Sequence, residues 1–289
     1  MSIPIHFLRC KVGLWLAFLV LTCQVAMAQG AAVALVTDLQ GRATITSAGR
    51  SLDAAMLANL EAGTQAQLAP GSTLVVLYLA DGSEYQFKGP AQVQFRADRP
   101  EVSSGAPAVR RSAPSVMQVR VNPGGVSQGA IVMRSMGSVR IRLLEGSGTL
   151  VLDAQPELAW AAPLPDLRYS LDIADDAGRT LHKVEVGDTR TRLPASIGLR
   201  EGATYTWEVS ARAPDGRRYS GRGEFAVAAA SLREQVLAAR MQVDSTVSAQ
   251  VAFAWWLDHQ QLRDEARRLW RELARQRPDE AALRALAER

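Results

Sequence analysis

The chain has 289 residues, 33 of them basic and 29 acidic, for a formal charge of +4. So small an excess, spread along the chain, lacks the basic stripe that nucleic-acid binding requires, and nucleic acid is excluded as a partner. Both cysteines fall within the first 28 residues; past them no disulfide is available, so each domain needs an ordinary hydrophobic core.

Residues 1–28 read as a secretory leader: Arg9 and Lys11 supply the basic start, 12–21 the apolar run, and Ala26-Met27-Ala28 a cleavage site after Ala28. The expected product is a 261-residue periplasmic or secreted chain carrying a charge of +2. An uncleaved anchor is the alternative, because 12–28 is just long enough to span a thin bilayer; membrane contact arises only in that case. Leu21-Thr22-Cys23 resembles a lipoprotein box loosely.

From residue 31 to about 100, short apolar runs alternate with glycine-bearing turns. Strands are predicted at 33–36, 42–46, 71–79, 84–88 and 91–95, with Asp81-Gly82 as a hairpin turn. Gln92-Val93-Gln94-Phe95 has the alternation of a strand buried on one face. Leu52, Met56, Leu57 and Leu60 fit a helical face, although an irregular crossover would suit the stretch 51–63 equally. The order of Gly41, the leucine segment ending at Gly63, Gly71, the apolar strand, Asp81-Gly82-Ser83 and Gly89-Pro90 resembles a FecR-type domain. That resemblance implies a β fold and brings no catalytic side chain. It also suggests a second role, as periplasmic signal-input component of a FecR-like regulatory system.

Residues 101–148 read as a connector rich in Pro, Gly and Arg, exposed from Ala97 to Pro123. Within it 116–121 suits a strand, and 129–133 with 139–144 a hairpin. Val139, Ile141 and Leu143 alternate with Arg140 and Arg142, and with Arg134 these arginines form a basic strip: a solvated sheet face, or an anion or glycan site.

Between 149 and 228 seven short β-runs are predicted, at 150–152, 157–160, 168–173, 181–186, 191–193, 204–210 and 221–227, spaced as in a sandwich. Pro156 with Trp160, and Leu199, Gly202, Tyr205, Trp207 and Val209, resemble the motifs of a fibronectin type III domain. The resemblance implies a seven-stranded sandwich with Trp160, Leu199, Tyr205 and Trp207 in its core and the Tyr205 hydroxyl bonded to nearby backbone.

After Val227 the apolar period changes. Leu232, Val236, Ala239 and Val243, then Val247, Val251, Ala254 and Trp255, then Leu262, Ala266, Leu269, Trp270 and Leu273 mark helices, and Pro278 precedes a last one. Ala266, Trp270 and Pro278 are similar to the second helix of a tetratricopeptide repeat. One such unit does not bury its apolar face alone, so the tail 230–289 forms a hairpin or small bundle, or docks on a partner. Adjacent helical residues point about 100° apart; Trp255 therefore belongs to the core stripe, and either both tryptophans are half buried in the helical hairpin or Trp256, with Phe253 and Trp270, forms a partner-docking patch.

The fold class expected is therefore mainly β with C-terminal α. His182 and His259 lie 77 positions apart, and Asp172, Asp175 and Asp176 lack the rest of a calcium loop, so neither metal nor cofactor is expected. Without a nucleophile elbow, phosphate loop or H-E-x-x-H motif, no catalytic residue is assigned and the chain is not expected to be an enzyme. The sequence points to an exported cell-envelope binding or scaffold protein with an envelope protein partner. A glycan or peptidoglycan ligand is the third reading, with Tyr78, Tyr85 and Phe87 available for stacking, although Tyr85 and Phe87 also suit the core by strand parity.

Overall fold

In the structure, a computed structural model, residues 31–112 and 138–288 are described. The leader, the runs at 116–121 and 129–133, and Arg134 lie outside the described residues. The chain is mainly β, with four helices at its C-terminal end.

The first ten strands are β1 (Ala32–Gln40), β2 (Ala43–Ser47), β3 (Arg50–Asp53), β4 (Asn59–Glu61), β5 (Gln65–Leu68), β6 (Thr73–Tyr78), β7 (Ser83–Lys88), β8 (Ala91–Phe95), β9 (Pro100–Ser104) and β10 (Val109–Ser112). They build two five-stranded sheets, in the orders β10-β7-β6-β1-β4 and β3-β2-β5-β8-β9. Val36, Leu74, Val76 and Phe87 from one sheet meet Ala66, Leu68, Val93 and Phe95 from the other in a common core. The ladder Gln92 to Phe95 alternates as expected, with Val93 and Phe95 buried.

One open reading is decided here and one expectation corrected. Of the two readings of 51–63 the helix is not formed: Leu52 is 71% exposed on β3, Leu60 enters the first core, and Leu57 takes a left-handed φ of 65°. Met56 leaves this sandwich altogether and packs in a separate core cluster. The exposed connector does not begin at Ala97 either, because β9 and β10 pair with β8 and β7 and extend both sheets.

A second pair of sheets follows: β11 (Ser138–Arg140), β12 (Leu143–Glu145), β13 (Thr149–Val151), β14 (Glu157–Trp160), β15 (Tyr169–Asp175), β16 (Thr180–Val186), β17 (Arg190–Arg192), β18 (Thr204–Arg212) and β19 (Arg218–Val227). The seven runs expected from 150 onward are all strands. One sheet has the order β12-β14-β17, the other β11-β19-β18-β15-β16, with β13 also paired to β19. Trp160, Tyr205 and Trp207 are buried between them, and Leu199 packs half-buried at the edge of the same core. The Tyr205 hydroxyl accepts from the backbone N–H of Arg200 at 2.8 Å.

Residues 139–144 behave differently from the expected single hairpin strand. β11 runs parallel to β19, after which the chain crosses to the other sheet so that β12 pairs with β14. Val139 is consequently 51% exposed whereas Ile141 is buried. Gly221 and Gly223 allow this crossing: a Cβ on Gly221 would lie 2.8 Å from the Ile141 carbonyl, and one on Gly223 2.7 Å from Trp207 Nε1.

The helices are α1 (Ala230–Gln242), α2 (Val247–His259), α3 (Arg263–Gln276) and α4 (Ala281–Ala287). Among the described residues no helix is long and apolar enough to cross a membrane. Their core holds Val236, Val251, Leu257, Leu262, Trp270 and Leu273. Met56 completes it, Leu39 and Leu57 pack on it from the first sandwich, and Leu150 and Leu152 from the second. From Ala32 onward the chain is accordingly one compact unit.

Candidate functional site

The helical segment was the place where the sequence suggested a partner-docking patch, and its aromatic residues are already occupied. Phe253, Trp256 and Trp270 are 3, 2 and 3% exposed. Phe253 and Trp256 stack with centroids 6.0 Å apart, inside the cluster that Met56 completes. The assignment of the two adjacent tryptophans is reversed: Trp256 is interior, while Trp255 is half-buried with His259 3.7 Å from its ring. The wall opposite the helical stripe comes from the chain's own β sandwiches, which the apolar period of the helices alone does not reveal.

Polar contacts fasten the same interface. Arg277, just beyond α3, donates to Asp38 Oδ1 at 2.9 Å and to the Leu39 carbonyl at 2.8 Å. Asp264 in the first turn of α3 accepts from the Gly146 N–H at 2.7 Å and pairs with Arg267, which also donates to the Leu144 carbonyl. Ser248 in α2 donates to Glu84 of β7 at 2.8 Å.

Burial raises the Glu84 carboxyl above its ordinary 4.5, opposed by the Ser248 hydroxyl and the Arg111 charge and reinforced by Asp244 and Asp38. A raised folded value means that folding takes up a proton. The stability tied to it is complete below about 4.5 and is lost as pH rises through the folded value. Glu84→Gln keeps the acceptor for Ser248 and removes this dependence. Its stability relative to wild type should therefore improve between about pH 4 and pH 7, as read from urea midpoints; a difference that is constant or reversed would refute the assignment.

The rings considered for saccharide stacking are not free. Tyr78 and Phe87 are fully buried, with the Tyr78 hydroxyl donating to the Arg96 carbonyl at 3.2 Å. Tyr85 packs edge-on against Tyr78 and lies beneath the Arg110 guanidinium, 5.9 Å from its ring centre. Asp172 and Asp175, both within β15, also have separate partners. Asp175 accepts from the backbone N–H groups of Arg179 and Ala177 and pairs with the Arg179 guanidinium, which together hold its carboxyl below the usual range. Asp172 pairs with Lys183 at 3.1 Å. Among the described residues no group of three or more His, Cys, Asp or Glu side chains is placed to hold a metal ion.

The remaining candidate is the outer face of the larger sheet in the second sandwich. Alternation sends Tyr169, Leu171, Trp207, Val209 and Tyr219 into the core, and therefore sends Ser170, Glu208, Ser210, Arg212, Arg218 and Ser220 outward. Pairing then decides which of them meet. Ser170 stands opposite Ser210, and Ser210 opposite Ser220, making a row of hydroxyls across three strands. Glu185 of β16 continues the row on one side and Arg140 of β11 on the other.

Arg212 stands opposite Arg218. Arg168, immediately before β15, occupies the next position of the β15–β18 register, in line with Arg212. All three arginines are exposed and line a hollow of about 540 Å³ together with the serines, Glu185 and Glu208. Of the basic strip expected at Arg134, Arg140 and Arg142, Arg134 lies outside the described residues, Arg140 ends β11 opposite Ser220, and Arg142 lies at the crossing to the other sheet. Sequence reading missed this row because the meeting of Arg168 with Arg212 depends on register between strands some forty residues apart, although Arg212 and Arg218 face each other across one hairpin. Their common parity, each next to a buried aromatic or alanine, was the available signal.

No family model matches the sequence, and no curated protein matches it. Among solved structures, CopC from Methylosinus trichosporium OB3b aligns at 20% identity over 30% of this chain and 93% of its own, with a TM-score of 0.25. Similarity at that level carries no argument about fold or activity.

Proposed function

We propose that this chain is a non-enzymatic, exported cell-envelope protein in which a FecR-like first sandwich and a fibronectin type III-like second sandwich, clamped by the helices, form a rigid binding module. The outer face of the larger sheet in the second sandwich is its ligand surface. The observation that carries this reading is the polar hollow on that face, with hydroxyls and guanidinium groups aligned in adjacent rows. The helices support it in another way: their aromatic side chains are spent on the chain's own sandwiches, so the tail acts as an internal brace. A rigid sheet holds such side chains in place at little ordering cost on binding. Export rests on the leader read in residues 1–28.

Sedimentation with purified envelope fragments and cell-wall sacculi tests the proposal. Mature protein should pellet with one of these fractions, and a variant with Ser170, Ser210 and Arg212 replaced by alanine should stay in solution while melting as wild type does. Failure of the wild-type protein to pellet with any envelope fraction would remove the reading.

A further inference from the structure

The three arginines on the outer sheet face carry more than a general binding role. Neighbouring strands are about 4.8 Å apart, so the backbone positions of Arg168, Arg212 and Arg218 fall within a span of about 10 Å, and all three side chains line the same hollow. Like charges directly opposite one another on adjacent strands destabilise a sheet. Elsewhere in the second sandwich arginines meet carboxylates: Arg179 pairs with Asp175, Arg190 with Glu157 and Arg192 with Asp153. Among the described residues Arg168, Arg212 and Arg218 form no ion pair, although Glu208 and Glu185 lie on the same face.

We infer that this arginine row is a site for an oxyanion-bearing saccharide chain, whose acidic groups take the guanidinium forks and whose hydroxyls meet Ser170, Ser210 and the carboxylates of Glu185 and Glu208. The inference deepens the envelope-binding reading and rests on it. Guanidinium is suited to this role because its planar fork matches carboxylate and phosphate geometry with two parallel hydrogen bonds. The two carboxylates in the same hollow repel a ligand that is anionic throughout, but accept from hydroxyls, which favours a polyol bearing discrete charges. Protein ligands are disfavoured because the aromatic side chains nearest this hollow, Tyr169 and Tyr219, are buried, whereas protein interfaces draw most of their affinity from aromatic and arginine anchors seated in pockets. Attraction dominated by exposed charge is screened by salt, so binding weakens as ionic strength rises.

The test is calorimetric titration of the mature chain with three soluble polymers: polygalacturonate, which carries carboxylates; phosphomannan, which carries phosphates; and uncharged dextran. One of the two charged polymers should bind at low salt and dextran should not, and the better of the two identifies the acidic group. Replacing Arg212 and Arg218 together by serine should weaken that binding by about ten-fold or more, since each fork is a charge-assisted contact, with the melting curve unchanged. Replacing Arg190 and Arg192, on the other sheet, should leave affinity as in wild type. Equal binding of dextran, equal loss from both double variants, or no binding of either charged polymer would overturn the inference. Sedimentation with envelope fragments is run in parallel. Retention of the Arg212 and Arg218 double variant at the wild-type level removes the arginine site and leaves the envelope reading standing; a wild-type protein that never pellets removes the latter.

Discussion

Trp270→Ala is expected to lower the unfolding free energy by about 3–5 kcal/mol, the usual cost of emptying a buried tryptophan site. Trp270 lies on α3 at 3% exposure, in the cluster shared by the helices and both sandwiches. A cavity there forfeits packing on several elements at once, because α3 lies against α2, α4 and β13. Domains of this size are stable by only about 5–15 kcal/mol, so the loss is a large fraction of the whole. Urea denaturation followed by circular dichroism reads it without depending on the fluorescence of the replaced residue. The contrast with the surface-patch expectation is sharp: an exposed docking tryptophan would shift stability by no more than about 0.5 kcal/mol. A change that small would contradict the internal brace.

Asp264→Ala should be nearly as damaging, at about 3–5 kcal/mol. Its carboxylate occupies a joint at which three elements meet. Gly146 donates its N–H to Asp264 at 2.7 Å while its carbonyl accepts from Trp207 Nε1 at 2.5 Å, so one residue links the core tryptophan of the second sandwich to the start of α3. Only glycine serves at that point: its φ is 76°, and a Cβ would lie 2.3 Å from Leu158. Burial raises the Asp264 carboxyl, while the Gly146 N–H and the Arg267 charge pull it back down. Removing the carboxylate leaves a buried N–H unpaired and the Arg267 charge, on a side chain 14% exposed, with only the Leu144 carbonyl as partner. Breaking a buried pair by deleting one partner costs more than the pair itself contributes. A double-mutant cycle with Arg267→Ala should therefore show the combined variant losing less than the sum of the two single losses. Additive losses would mean that the two side chains act independently.

Much of the β architecture was legible because its signals are local. Alternation in Gln92 to Phe95 and in Tyr205 to Val209, and turn residues such as Asp81-Gly82, depend on neighbours in the chain. The seven runs of the second sandwich, with Trp207 on an inward face, could be read in the same way, while the place of Trp160 inside was implied by the fibronectin type III resemblance. Errors arose where a residue's environment is supplied from far away. β9 and β10 look like connector by composition, yet backbone pairing with β8 and β7 makes them strands. Leu52, Met56, Leu57 and Leu60 share a helical spacing, but their side chains divide between solvent, the helical core and the first core.

By itself the sequence determined the fold class, the order of strands before helices, the tryptophan core of the second sandwich and the number of apolar stripes to be covered. Only the tertiary structure decided what covers the helical stripe and which outward side chains stand together. Periodicity states that a face is apolar but not what it meets, and so Phe253, Trp256 and Trp270 could be placed on a stripe without revealing that Met56, Leu150 and Leu152 would close over it. Parity likewise turns Arg168, Arg212 and Arg218 outward, but the alignment of three separate strands is set by interstrand hydrogen bonds. A one-residue slip in either pairing would send those side chains to the opposite face.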